Sequence, residues 1–335
     1  MVTVHKALYE PQNHELGATH GLTYAWNTIC SGGTKMNINR RVFISAPRDM
    51  RLDQPRIKIK QAIVDQIKSA GYDPQIFLTS AGGVGLAAGA GWSLEEVEKV
   101  ARRCIGAAII GLPFWKTTLA EREVWLPTDY CPYEGAVAHG LGLPILAISI
   151  GIEQRGIFDQ HARVHNISIP LQEDLSWLQD DSFRGPFANW KRDIEQRRDV
   201  FLGYCSKSSG TAAQIQLRLE KLGASVHNWQ MDFRMGVSIL SEIENARATC
   251  SCGIFLFSED DPLEGTSGGA APRDNVVFEA GYFMSAKGAE RCLIIRHGEA
   301  KMPADVGGAI YVHLRKTADV SSIEGQLNDF LARNL

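Results

Sequence analysis

The sequence predicts an α/β protein: two doubly wound, flavodoxin-like (Rossmannoid) parallel-sheet domains in tandem. Short apolar runs alternate with stretches of helical periodicity along most of the chain, the pattern of a parallel sheet wrapped by helices. That alternation stops once, between residues 151 and 198, and then restarts. The chain's 335 residues also exceed the roughly 250–300 at which single hydrophobic cores stop growing.

Residues 1–35 mix His, Asn, Gly and Thr without periodicity and read as a peripheral extension, with Met36 a candidate natural start. Val42, Phe43 and Ile44 open a strand over residues 42–46. Pro55 then stands at the start of a helix over 55–70, which Gly71 ends. A strand over 75–78, a helix over 93–103 and an apolar strand over 107–112 follow. A helix opens at Pro132, and residues 144–150 form a fourth strand. Residues 36–152 thus make one domain. Residues 153–198, with Trp177, Trp190 and clustered charges, read as a connector carrying a helix over 187–197.

The second domain, residues 199–335, begins with a strand over 200–204. A helix over 211–222, a short strand over 225–228, a helix over 238–248 capped by Ser238 and a strand over 253–257 come next. A helix over 275–286, a strand over 292–296 and a last helix over 321–333 complete it. The two halves share one plan: Tyr133-Glu134-Gly135 precedes Ile145-Leu146 much as Phe278-Glu279-Ala280 precedes Leu293-Ile294. Divergence and common architecture both account for that.

Composition narrows the partners. A net charge of -3 with interspersed signs lacks the electrostatic footprint of a nucleic-acid or membrane binder, so a small ligand or a protein fits better. No apolar run of about 18 residues and no basic, apolar leader occur, so a cytoplasmic location is expected. Seven scattered cysteines do not form a disulfide framework and read as buried thiols. No metal site is expected: His14 and His20 are six apart, on different helix faces, and His161 and His165 lack a carboxylate partner. Gly83, Gly85 and Gly89 look like a dinucleotide fingerprint, but they follow the second strand and read as a mobile loop.

The strongest constellation lies in the second half. Gly236 and Ser238 form a glycine-bearing loop that a ligand's atoms can approach, or simply a loop and cap. Ser258-Glu259-Asp260-Asp261 follow an apolar strand, at the carboxyl end where doubly wound sheets bind ligands. On the next helix Val276, Val277, Ala280, Phe283 and Met284 form the buried stripe, with Asn275, Glu279 and Tyr282 on its edge. Glu279 near a helix start is expected to be held ionised by the dipole. A fixed carboxylate stabilises the oxocarbenium-like transition state of N-ribosyl cleavage while a pyridinium leaves as a neutral base, with no general acid. The plain alternative is a surface acid. Arg273 fits a bidentate phosphate contact or a solvated helix start; Tyr204 fits base stacking or core cover.

Gly203-Tyr204-Cys205-Ser206, Gly236-Val237-Ser238-Ile239, Ser258-Glu259-Asp260-Asp261 and residues 273–283 resemble, in order, Toll/interleukin-1 receptor-like (TIR-like) domains of the bacterial nucleotide-binding type, over residues 199–315. The resemblance implies NAD+ hydrolysis by Glu279, with Tyr204, Cys205, Ser206, Phe233, Gly236, Ser238, Asp260, Asp261, Arg273 and Asn275 around the substrate. It implies NAD+ as substrate without a further cofactor, activation as a homo-oligomer, a cyclic or other nucleotide signal, and a place in anti-phage defence. The residues 262–271 insertion leaves the roles of Asp260 and Asp261 open. In the first half, Val42-Phe43-Ile44-Ser45-Ala46-Pro47 and residues 133–144 resemble nucleoside 2-deoxyribosyltransferase-type domains, which implies a glutamate nucleophile at Glu134. The first-strand loop lacks that family's usual aromatic arrangement. Three readings follow: an NAD+-cleaving effector using Glu279, a non-catalytic nucleotide-binding adaptor, and a nucleoside or nucleotide glycosidase using Glu134.

Overall fold

The computed structural model describes residues 39–76, 93–233, 236–263, 269–303, 311–317 and 319–335. The extension at 1–35, the glycines at 83–89 and the histidines at 14 and 20 lie outside them.

In the first half β1 (Arg41–Ser45), α1 (Gln54–Ser69), β2 (Asp73–Ile76), α2 (Leu94–Ala101) and β3 (Gly106–Gly111) follow in order. Asp53 caps α1 by accepting from Arg56 N, and Ser93 caps α2 by accepting from Glu96 N. A hairpin, β4 (Trp115–Leu119) and β5 (Arg122–Leu126), then leads to α3 (Tyr130–Gly140), β6 (Ile145–Ile150), β7 (His165–Ile169) and α4 (Asp181–Glu195). The main strands run parallel in the order β2-β1-β3-β6-β7.

Here the sequence reading needs correction. The expected connector belongs to the first sheet: β7 pairs with β6, its Ile167 and Ile169 buried on either side of the exposed Ser168. Helix α4 starts six residues earlier than expected and runs through Pro186. Phe183, Phe187, Trp190 and Ile194 recur at helical spacing and pack with Trp177 onto that sheet. Their burial outweighs the local cost of the proline. The hairpin went unseen because its turn places Ala120 and Glu121 at positive φ (44° and 67°), conformations that Asn or Gly would have signalled.

The second half repeats the frame with β8 (Arg198–Tyr204), α5 (Ser209–Lys221), β9 (Val226–Asn228), α6 (Trp229–Asp232), α7 (Ile239–Thr249) and β10 (Cys250–Phe257). A small bridge, β11 (Asp261–Pro262) with β12 (Ala270–Ala271), precedes α8 (Asp274–Lys287), β13 (Cys292–His297), β14 (Tyr311–Leu314) and α9 (Glu324–Asn334). The order β14-β13-β10-β8-β9 is the first sheet's order met again, and both sheets are parallel. Each therefore has its topological switch point beside its first strand, at β1/β3 and β8/β10.

Two apolar layers cover the second sheet. Val200, Leu202 and Tyr204 face α5 and α9, whereas Phe201 and Cys205 face α7 and α8. Residues 36–335 form one compact unit holding both sheets. All six described cysteines are free and buried. No helix among the described residues is long and apolar enough to cross a membrane.

Candidate active site at the end of strand β8

Glu279 occupies the second turn of α8, on the face that presses Val276, Ala280 and Phe283 against the sheet. It is 8% exposed, and its Oε2 has no hydrogen-bond partner among the described residues. Gly203 makes room for it: a Cβ there would stand 3.0 Å from Glu279 Oε2 and 2.6 Å from the Phe255 ring. Phe201, Phe255 and Phe283 contact one another below, with Phe201 stacked on Phe283 at 4.8 Å. Burial in this apolar setting pushes the Glu279 carboxyl up to about 7. Desolvation thus opposes the ionised form that the dipole was expected to favour. The dipole's field fades within the first turn, where Asp274 already stands, and desolvation dominates.

The start of α8 is fixed by a buried carboxylate. Asp260 is 5% exposed. Its Oδ1 accepts from the Ser258 hydroxyl at 2.9 Å and the Ser208 hydroxyl at 3.2 Å, and its Oδ2 accepts from Arg273 N at 3.2 Å. Lys207 Nζ donates to the Asp260 carbonyl at 2.7 Å. This network ties the β8 and β10 ends, either side of the switch point, to the helix that bears Glu279. Asp261 pairs with Arg273 at 3.0 Å and with Lys207 at 3.7 Å.

The anticipated ligand residues separate into groups. Cys205 is buried beside the Glu279 face, Phe233 is half-buried and lies 6.3 Å from Phe201, and Ser206 and Asn275 are exposed. Gly236 holds φ +84°, a conformation that favours glycine, with open space around its Cα. Ser238 caps α7, accepting from Ser241 N at 3.1 Å. Tyr204 is corrected: it lies on the opposite face of the sheet, 4% exposed, its hydroxyl donating to Asn228 Oδ1 at 2.8 Å. A ring so placed covers the core and does not stack on a ligand beside Glu279. Asp260 and Arg273 are likewise engaged in positioning the helix. Sequence reasoning passed over Lys207, Ser208 and Glu242. Glu242 is 2% exposed, and its position beside Ile243 and Ala246 in the inward stripe of α7 was the available signal. No group of three His, Cys, Asp or Glu among the described residues is placed to hold a metal.

Residues 199–316 match the family model for the TIR domain of CAP12/Pycsar effector proteins. A CD-NTase-associated protein 12 from a Lachnospiraceae bacterium is 30% identical over 114 residues, which is 32% of this chain and 35% of that protein. The Pycsar effector protein BcPycTIR of Burkholderia cepacia is 31% identical over 130 residues, 37% of this chain and 42% of that protein. The match therefore spans well under half of these relatives' length. A metazoan TIR-STING receptor from C. gigas, solved with 2′,3′-cGAMP, is 16% identical over 41% of this chain and 40% of that one; its TM-score of 0.32 carries no argument.

Proposed function

We propose that the second sheet is an NAD+ glycohydrolase, cutting the nicotinamide N-glycosidic bond at Glu279, and that the chain is an effector of anti-phage defence switched on by a nucleotide signal and self-assembly. The observation that carries this is a buried carboxyl group above Gly203, one of its oxygens without a partner among the described residues, at the carboxyl end of β8 beside the switch point.

The chemistry follows from that setting. The nicotinamide ring of NAD+ is cationic, and a cation brought beside Glu279 favours its ionised form, so the proton leaves as substrate arrives. The carboxylate then faces the ribose as the C1′–N bond breaks. The bonding pair goes to the ring nitrogen, nicotinamide departs neutral, and positive charge builds on C1′ and the ring oxygen. Poor solvation of the carboxylate makes its attraction for that charge large. Water closes on C1′ and loses a proton, giving ADP-ribose.

A second reading is favoured by one observation: Glu134 sits at the same topological place in the first sheet and is 5% exposed. That supports the deoxyribosyltransferase likeness and a glycosidase using Glu134. Incubation of the full chain with NAD+ at high protein concentration, with Glu279→Gln and Glu134→Gln in parallel, separates the readings. Loss of nicotinamide release only in Glu279→Gln is expected. Loss only in Glu134→Gln moves the activity to the first sheet. Release by none of the three, with the protein assembled, leaves a nucleotide-binding adaptor.

A further inference from the structure

The carboxyl ends of the strands hold Glu279, but a cleft of about 640 Å³ lies at the other end, where α2 and α3 of the first half meet α7 and α8 of the second. Arg102, Arg197, Arg247, Lys287 and Arg291 line it, and the one carboxylate among its described lining residues is Glu98, which pairs with Arg102. The arginines spend their hydrogen bonds mainly on neutral carbonyls. Arg197 donates to Gly142 O at 3.0 Å and Ala248 O at 2.9 Å, Arg291 to Ser251 O at 2.8 Å and Asn334 O at 3.0 Å, and Arg102 to Ala286 O at 2.9 Å. Carbonyls orient a guanidinium without cancelling its charge.

The cleft therefore concentrates positive charge where solvent is scarce. Arg197 is 4% exposed, and its Nε and that of Arg247 have no partner among the described residues. Burial, with Arg197 and Arg291 close by, pushes the Lys287 amine down to about 7. Gathering four guanidinium groups and a partly protonated amine around a single carboxylate costs stability unless a further anion joins them.

We propose that the 640 Å³ cleft is a binding site for a phosphate-bearing, nucleotide-sized anion held on Lys287, Arg247 and Arg102. Its volume lies within the roughly 300–1,000 Å³ of small-molecule sites. Tyr133, 36% exposed, and the apolar Leu143 offer a surface for a base. Phosphates recruit charge-assisted bonds from the amine and guanidinium groups. Lys287 ends α8, the helix that carries Glu279, so an anion here loads the helix of the proposed active site; this coupling rests on the functional reading above, whereas binding does not.

Binding is tested without reference to NAD+ cleavage. Thermal unfolding and calorimetry of the full chain are run with ADP, inorganic pyrophosphate and adenosine at matched ionic strength. ADP at about a hundred times its Kd is expected to raise the Tm by roughly 5 °C, pyrophosphate by less and adenosine hardly at all. Lys287→Met removes a half-buried amine and keeps the volume; it is expected to weaken ADP about tenfold. Arg247→Gln, at a partly exposed position, does the same without touching the core, while Glu98→Gln strengthens ADP by removing the opposing charge. No shift from either phosphate compound overturns the proposal. So does an ADP affinity unchanged by both Lys287→Met and Arg247→Gln, which would place the nucleotide elsewhere, including at Glu279.

Discussion

Glu134 and Glu279 occupy the same station in two copies of one frame: each lies on the helix that follows the third main strand of a sheet ordered 2-1-3-4-5, and each is nearly buried. Their neighbours differ. Glu134 has the thiol of Cys131 near it, and that thiol in turn meets the Thr128 hydroxyl at 3.2 Å and lies by Ser45. Glu279 faces Phe255 and the bare backbone of Gly203, with one oxygen lacking any partner among the described residues. Aligned by the strands they end, Ser45 and Gly203 are counterparts: Val42-Phe43-Ile44-Ser45 against Val200-Phe201-Leu202-Gly203. One fold thus supplies the position of an acid twice, and at the end of the first strand one sheet carries a serine where the other carries bare backbone. In the second sheet the apolar wall leaves a carboxyl whose ionisation responds strongly to an arriving cation.

The largest expected effect breaks the symmetry outright. Glu279→Gln keeps the shape and removes the charge, and nicotinamide release should fall by about a thousandfold or more, some 4 kcal/mol of transition-state stabilisation. Glu134→Gln should leave the rate within about twofold. Equal losses would mean that the halves act together and would defeat the assignment of separate roles. Next in size is an exchange of the strand ends. Gly203→Ser gives the second sheet the first sheet's side chain, and its Cβ would crowd the Phe255 ring and Glu279 Oε2. Overpacking of that kind costs about 1–3 kcal/mol. Denaturant unfolding should show the loss, and NAD+ cleavage should drop more than tenfold as Glu279 is displaced. The reciprocal Ser45→Gly should cost only about 1 kcal/mol and leave cleavage untouched. A fully active Gly203→Ser would show that the carboxyl needs no such vacancy.

What the sequence made legible is the part that periodicity and motif carry. The alternation of apolar runs with helices located four of the five strands in each sheet, missing β7 and β14, and residues 273–283 drew attention to Glu279 before its burial was known. The misses have physical causes. Strand β7 and the early part of α4 were hidden by charge and by Pro186, because their burial depends on Trp177 and on a sheet edge formed far away in sequence. Which face Tyr204 takes depends on where Phe201 starts the alternation, a one-residue matter of register that a five-residue run does not settle. The protonation of Glu279 escaped for a related reason: the helix dipole can be read from a sequence, whereas the missing Cβ at Gly203 and the ring of Phe255 act only once the strands are assembled. The cationic cleft is subtler still, since Arg102, Arg197, Arg247, Lys287 and Arg291 are spread over 190 positions in four helices and strand ends.

A smaller effect than the loss of cleavage, about 2 kcal/mol, tests the electrostatics of both sites through stability alone. Glu279 titrates at about 7 folded against an ordinary 4.5, so between those values the folded chain binds more protons than the unfolded one. Stability contributed by this group is therefore full below 4.5 and is lost as pH rises through 7. Lys287 titrates at about 7 folded against 10.5, so between those values the unfolded chain binds more protons. Its unfavourable contribution is largest below 7 and disappears as pH climbs toward 10.5. The full shifts correspond to upper bounds of about 3 and 5 kcal/mol; relaxation and the contact of Lys287 with water in the cleft reduce both toward the smaller figure. Burial also lowers the His227 and His297 imidazoles, which act in the opposite sense to Glu279 below 6.5, so the difference from wild type is the quantity to measure. Denaturant unfolding from about pH 5 to about pH 9 should find Glu279→Gln progressively more stable than wild type as pH rises. Lys287→Met should gain most at the acid end and converge on wild type at the alkaline end. Two difference curves of opposite slope would place an isolated acid and an unneutralised base at opposite ends of α8, whereas a flat curve for Glu279→Gln would mean that its carboxyl is hydrated and that the apolar wall beside Gly203 does not set its ionisation.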